Sequence, residues 1–319
     1  MKFDALLIVS FGGPEAMADV MPFLENVLRG KNVSEERKKE VAHHYEMFNG
    51  VSPINAQNRE LIELLKEKFK KENIQLPIFW GNRNWKPYLK DTFQEMKAAG
   101  VSNVLVYFAS AYGSYSGCRQ YFENIAHAQK ETGTEAIHVE RLPLFFDHPN
   151  FIQVNVQNIQ KQMKLASSDA HLAFTAHSIP VSMTQTSPYV TQLRQACELV
   201  AGKVGISSWE LVYQSRSGPP QVPWLELDIC DHLEVIAKKG VREVILSPIG
   251  FVSDHMEVKY DLDIEAKQKA EQLGLKVYRA SSAGNDPLMI DMIASMIQDR
   301  MKGQSAFICK SDCCPNPRR

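Results

Sequence analysis

Short apolar runs alternate along the chain with longer stretches in which apolar residues recur every three or four positions. The short runs lie at residues 5–9, 78–80, 104–108 and 137–139 in the first half, and at 172–175, 211–213, 244–246 and 277–278 in the second. They read as buried strands, because a strand covered on both faces is apolar at nearly every position. The amphipathic stretches, among them 58–71, 88–98, 190–202, 233–239 and 287–301, read as helices. This alternation predicts βα units and a mainly parallel sheet.

The two halves also resemble each other. Phe79-Trp80-Gly81-Asn82-Arg83-Asn84-Trp85 answers Tyr213-Gln214-Ser215-Arg216-Ser217-Gly218, and residues 96–104 answer 236–244. Residues 6–14 and 173–180 align when both end at their proline, which sets Phe11 opposite His177. Three matches in one order favour duplication over a chance likeness of βα units. Two such lobes are expected to face each other across a cleft at the carboxyl ends of their strands, where open parallel sheets bind ligands. The loops after residues 175, 213 and 246 should meet there. Phe11-Gly12-Gly13-Pro14 lacks the GxGxxG spacing and no GxxxxGK[ST] occurs, so nucleotide binding is unsupported.

Charge and composition narrow the classes further. A chain of 319 residues that is 44% hydrophobic has enough apolar surface for two domains or one large α/β body. A formal net charge of -1 gives no electrostatic case for nucleic acid or anionic lipid. The apolar run that follows Met1 is too short for a signal peptide, and no stretch is long and apolar enough to cross a bilayer, so a cytosolic location is expected. Six cysteines in a reducing compartment do not suggest a disulfide framework.

The chemistry concentrates after the strand at 244–246. Glu257, Asp261 and Glu265 follow one another at intervals of four, which on an α-helix forms a slowly drifting stripe of carboxylates. Like charges so placed repel, and the stripe fits a solvated acidic face as well as a path for metal ions or protons. His177 closes another strand, in Phe174-Thr175-Ala176-His177-Ser178-Ile179-Pro180. A histidine there is commonly structural, but facing a carboxylate row it is a plausible general base.

At these residues the chain resembles the ferrochelatases, enzymes that insert ferrous iron into a porphyrin. The run 175–180 and Ser247-Pro248-Ile249-Gly250-Phe251-Val252-Ser253-Asp254-His255-Met256-Glu257 carry the likeness, with support from Ser10-Phe11-Gly12-Gly13-Pro14-Glu15, Gly50-Val51-Ser52-Pro53-Ile54, Gly81–Trp85 and Gln214–Pro220. It spans residues 3 to 303 in collinear order. Asn82-Arg83-Asn84-Trp85 and Gln214–Pro220 look most like actinobacterial, coproporphyrin-type members. One departure is Thr186-Ser187-Pro188-Tyr189, where the family usually carries a glycine.

The resemblance implies an α/β fold of two similar Rossmann-like lobes, each a four-stranded parallel sheet flanked by helices. The lobes would be residues 1–148 and 149–303, with a Cys-rich tail at 304–319. It implies that His177 takes protons from a bent macrocycle with Glu257 beside it, both touching the incoming Fe2+. Asp261 and Glu265 then form a path for protons or metal, with His255 supporting the loop. Phe11, Trp85, Tyr112 and Tyr115 are candidates for the porphyrin wall or simply for core, and Arg29 and Arg119 for its propionates. The substrate is coproporphyrin III or protoporphyrin IX. Membrane attachment is not expected, since residues 31–49 near the cleft entrance are highly charged.

Cys309-Lys310-Ser311-Asp312-Cys313-Cys314 places three thiols in six residues. Some ferrochelatases hold a [2Fe–2S] cluster on three C-terminal cysteines and one internal cysteine, and Cys118 is the internal candidate. The C-x3-C-C spacing departs from the more familiar C-x2-C-x4-C pattern, so zinc or reactive thiols remain alternatives. Rival readings of the whole chain are a cobalt or nickel chelatase of a more reduced tetrapyrrole, and a haem- or iron–sulfur-binding sensor without catalysis. The first usually has two site histidines, and the second predicts a missing base or acid.

Overall fold

Each half of the chain folds its apolar runs into the centre of a parallel sheet. Of the residues described in the computed structural model (2–30, 33–218, 221–304 and 313–316), eight strands form two four-stranded sheets. The first contains β1 (Ala5–Ser10), β2 (Ile78–Asn82), β3 (Asn103–Phe108) and β4 (His138–Arg141), in the order β2-β1-β3-β4. The second contains β5 (His171–His177), β6 (Trp209–Gln214), β7 (Glu243–Ser247) and β8 (Lys276–Arg279), in the order β6-β5-β7-β8. All neighbours run parallel. The order of the second sheet is the order of the first with four added to each strand number, as duplication requires.

The described residues cluster into two compact units. One takes those within 1–109, 120–143 and 293–307, the other those within 110–119, 144–292 and 308–319. In the first, Ala5, Leu7 and Val9 of β1 pack with Phe93 and Met96 of the helix Leu89–Ala98 and Ile125 of the helix Gln120–Thr132. In the second, Ala173 and Val212 pack with Leu233 and Ile236 of the helix Ile229–Lys238 and with Val258, Leu262, Ala266 and Ala270. The strand β1 is buried along its whole length, which is why its sequence shows no alternation.

Sheet register tests the internal alignment residue by residue. Ala5 pairs with Val104 and His171 with Val244, so matching Val104 to Val244 sets Ala5 against His171 and Phe11 against His177, as the proline-anchored alignment expects. The match of Phe79 to Tyr213 needs correction. Leu6 pairs with Ile78 and Leu172 with Trp209, so Tyr213 stands where Asn82 stands. A second pair of contacts agrees: Asn82 bridges to Tyr88 and Tyr213 to Asp228, each just before its next helix. Similar letters in the two loops produced a slip of three positions, because a short loop motif carries no periodicity to hold it in register.

Candidate functional site

His177 is the last residue of β5, still paired with Gln214 of β6. Two contacts fix it. The hydroxyl of Tyr189 donates to the His177 carbonyl at 3.0 Å. The ring Nδ1 lies 2.5 Å from the Ser178 carbonyl. A carbonyl only accepts, so Nδ1 carries a hydrogen, and in the neutral ring this leaves Nε2 as the nitrogen with the lone pair. That lone pair faces Glu257, with Nε2 at 3.8 Å from Oε2. Both side chains reach solvent, His177 at 31% and Glu257 at 54% exposure. With the ring neutral, a proton or a cation between Nε2 and the carboxylate would bind to both.

The segment after β7 reaches His177 through a close backbone approach. Gly250 N–H donates to the Thr175 carbonyl at 3.0 Å, and a Cβ on Gly250 would meet the Ala176 Cα at 2.6 Å. Any larger residue would push this loop away from β5. The preceding residue is held by Tyr112, whose hydroxyl donates to the Ile249 carbonyl at 2.9 Å. Phe251 lies under the rings of both His177 (centroids 6.4 Å) and His255 (5.2 Å). Burial lowers the pKa of His255, Glu257 partly opposes this, and His177 adds to it, so His255 favours its neutral form.

The acidic stripe departs from the α-helix expected of it. One helical turn, Met256–Val258, leads into a π-helix, Lys259–Ala266, which continues as the α-helix Lys267–Gln272. A π-helix closes each hydrogen bond five residues on rather than four, so it holds more residues per turn. A four-residue interval that drifts on an α-helix therefore stays more nearly in line. Glu257 and Glu265 are exposed, while Asp261 between them is half-buried. Asp261 accepts hydrogen bonds on Oδ2 from the Ser215 hydroxyl and from Gln214 Nε2, the latter at 3.2 Å. Its pKa is pushed up to about 7, by burial first and then by the charges of Glu257 and Glu265, against the two hydrogen bonds. It is thus poised to exchange a proton near neutrality.

Ser215 and Gln214 were quoted in a motif but given no role from sequence. Gln214 pairs with His177 across β5 and β6, and its carbonyl accepts from Ser178 N–H at 2.8 Å. Ser215 has φ 60°, a left-handed backbone that turns its hydroxyl onto Asp261. Nothing in a serine announces that conformation.

His177, His255, Glu257, Asp261, Glu265, Tyr112, Tyr115, Cys118 and Arg119 all belong to the second unit, and Phe11 and Arg29 to the first. Phe11 is 37% exposed, with the Arg83 guanidinium 5.8 Å from its ring centre. Arg29 is exposed and donates to Asn26 Oδ1 at 2.7 Å. Tyr112 is buried among Phe146, Phe151 and Tyr189, so what it offers the site is a fixed Ile249 carbonyl. Tyr115, Cys118 and Arg119 lie in a second π-helix, Tyr115–Arg119, with Cys118 buried. Asn316 Nδ2 donates to the Tyr115 hydroxyl at 3.0 Å, which brings the segment 313–316 against that element. Cys314 is buried and Cys313 is disulfide-bonded. Cys309 lies outside the described residues. Among the described residues, no three His, Cys, Asp or Glu side chains are grouped to hold a metal ion, and no helix is long and apolar enough to cross a membrane.

Comparison with known proteins places these features in a family. The family model "Ferrochelatase" matches residues 3–301. A ferrochelatase of Rhodopirellula baltica is 49% identical over 333 residues, covering 99% of this chain and 95% of its own. The coproporphyrin III ferrochelatase of Streptomyces coelicolor is 45% identical over 350 residues, covering 98% and 93%. Among solved structures, SirB from Bacillus subtilis with Fe3+ superposes with a TM-score of 0.56 at 14% identity, over 97% of this chain and all of its own. The sirohydrochlorin chelatase SirB from Bacillus subtilis subspecies spizizenii in complex with cobalt gives 0.54, also at 14% identity and over 97% and 100% of the two chains. At that identity the two structures speak for the fold alone, which is that of the chelatases.

Proposed function

The chain belongs to the ferrochelatase family, and on that premise we propose that it inserts Fe2+ into coproporphyrin III at a site built on His177 and Glu257. Iron insertion into a porphyrin is the activity of the family. The choice of coproporphyrin III follows the relatives of Streptomyces coelicolor and Nocardia farcinica, which carry that substrate in their names and share 45% and 44% identity with this chain.

The observation that carries the site is the His177 ring, whose Nδ1–H is committed to Ser178 and whose Nε2 lone pair faces Glu257. Insertion exchanges one Fe2+ for two pyrrole protons. His177 Nε2 accepts a proton from a pyrrole nitrogen, and the Glu257 carboxylate stabilises the imidazolium that results. Asp261, titrating at about 7, then takes up or releases a proton without a large energetic step. His177 and Glu257 would hold incoming iron loosely, and the metal must leave Nε2 before that same lone pair accepts a pyrrole proton. Glu265 continues the row outward, and His255 supports the loop. Phe11, Arg29, Tyr115 and Arg119 are assigned to the porphyrin through the family resemblance, with Tyr112 behind the loop.

The tail is assigned a [2Fe–2S] cluster on Cys118, Cys309, Cys313 and Cys314. The hydrogen bond from Asn316 to Tyr115 supports this, since it sets the segment 313–316 against the element holding Cys118. Bound there, a cluster would supply one-electron redox chemistry and staple the tail by Fe–S bonds. Cys313 must first be reduced, because only a thiolate ligates.

Anaerobic insertion assays with coproporphyrin III and protoporphyrin IX test the substrate. A kcat/KM at least about tenfold higher for coproporphyrin III is expected, corresponding to about 1.4 kcal/mol of preference. Equal values, or a preference for protoporphyrin IX, would remove the substrate assignment.

A further inference from the structure

One arginine grips the acidic segment at two points. Arg279 ends β8, opposite Leu246, and its side chain is only 15% exposed. Its Nη2 lies 2.9 Å from Asp254 Oδ1, and its buried Nε lies 3.2 Å from Asp263 Oδ1 as a charge contact without the alignment of a hydrogen bond. Its Nη1 donates to the Ala280 carbonyl at 2.5 Å, which fixes the guanidinium to the strand end. Asp254 comes three residues before Glu257, and Asp263 two residues after Asp261. The two carboxylates therefore bracket both groups assigned to the reaction. The same strand end holds the loop elsewhere: Ser282 N–H donates to Asp254 Oδ1 at 3.3 Å and Gly284 N–H to the Val252 carbonyl at 2.7 Å.

The bracketed stretch includes the first half of the π-helix. Five-residue hydrogen bonding is rare and is seldom held by local preference, so an outside restraint is needed to keep it. Apolar packing of Val258, Leu262 and Ala266 holds the inner side of this helix. On the outer side, the forked guanidinium ties an Asp on the incoming loop to an Asp on the helix itself. A lone surface ion pair contributes little, but here the arginine is mostly buried and its geometry is shared between two acids.

We infer that Arg279 is a positioning residue, clamping Asp254 and Asp263 so that the turn carrying Glu257 and the π-helix carrying Asp261 keep their places. The inference rests on the reading of those two carboxylates as groups of the reaction. Lysine keeps the charge as a single point and cannot spread it between Asp254 and Asp263 as the planar guanidinium does.

The test uses the full chain as Arg279→Lys and as Asp263→Asn, with amide hydrogen exchange over residues 254–266 and anaerobic Fe2+ insertion measured on each. Exchange in that segment should speed at least about tenfold while the rest of the second unit keeps its protection. The kcat should fall between about tenfold and a hundredfold, with the porphyrin KM changed less than about twofold. If Arg279→Lys does not fold, Asp263→Asn carries the comparison, since that side chain is 43% exposed. Unchanged exchange in the segment, or a rise spread evenly over the unit, would overturn the clamp. Local loosening with wild-type turnover would uphold the clamp and instead remove the carboxylate row from the reaction.

Discussion

Single residues in this protein take their chemistry from partners that sit far away in sequence. Asp261 is the clearest case. An unfolded aspartate ionises near 3.8, whereas the folded one holds its proton to about 7. Between those values the folded chain binds one proton more than the unfolded chain, so this group makes stability fall as pH rises. His232 acts in the opposite sense. Burial first, then the neighbouring His171 and Lys239, lower its pKa from 6.5 to about 4. Between about 4 and 6.5 the unfolded chain binds the extra proton, so stability rises with pH and is lost on acidification. Urea unfolding from pH 4 to 7 is expected to show the two slopes offsetting each other. Asp261→Asn should steepen the rise of stability with pH relative to wild type, and His232→Asn should flatten it. If each variant keeps the wild-type pH profile, these groups do not titrate as described. The acids were visible in the sequence from their spacing, and His177 from its place at a strand end. The donors to Asp261 were not: a left-handed serine and a glutamine paired with His177 become significant only when β5 and β6 lie side by side.

At the level of the element, the π-helix Lys259–Ala266 organises the site. Its sequence carries a signal that can be read in retrospect. The buried residues Val258, Leu262, Ala266 and Ala270 recur at an unbroken interval of four, as do Glu257, Asp261 and Glu265 beside them. An α-helix with this pattern would rotate its apolar side steadily away from the core, whereas a wider turn keeps it inward. Mixed three- and four-residue intervals mark an α-helix, and a strict four is a hint of something wider. The strands were legible because parallel sheets bury both faces. The loops after them were less so, which is why one internal match slipped by three residues until pairing with β1 and β5 corrected it. The second π-helix, Tyr115–Arg119, had no apolar period to reveal it.

For the molecule as a whole, duplication was legible from the order of three matches, and the two sheets carry it in identical strand order. The chemistry has not been duplicated with the scaffold. Phe11 stands where His177 stands, so the first unit has an aromatic ring at the position where the second has the histidine proposed as the base. Composition alone gave no sign of this asymmetry. Cys118→Ser should abolish the visible absorption and the acid-labile sulfide of anaerobically purified protein, while a colourless wild type would remove the cluster from the account.

The central claim is that His177 is the base of metal insertion, and its most direct test is anaerobic Fe2+ insertion by His177→Ala, measured beside wild type and Glu257→Gln. The imidazole is half-buried at the edge of the site rather than in a core cluster, so the variant should fold with the wild-type melting temperature to within a few degrees. Its kcat should fall by about a hundredfold or more, the scale of losing a general base, and Glu257→Gln should lose less. Turnover by folded His177→Ala within about twofold of wild type would contradict the account.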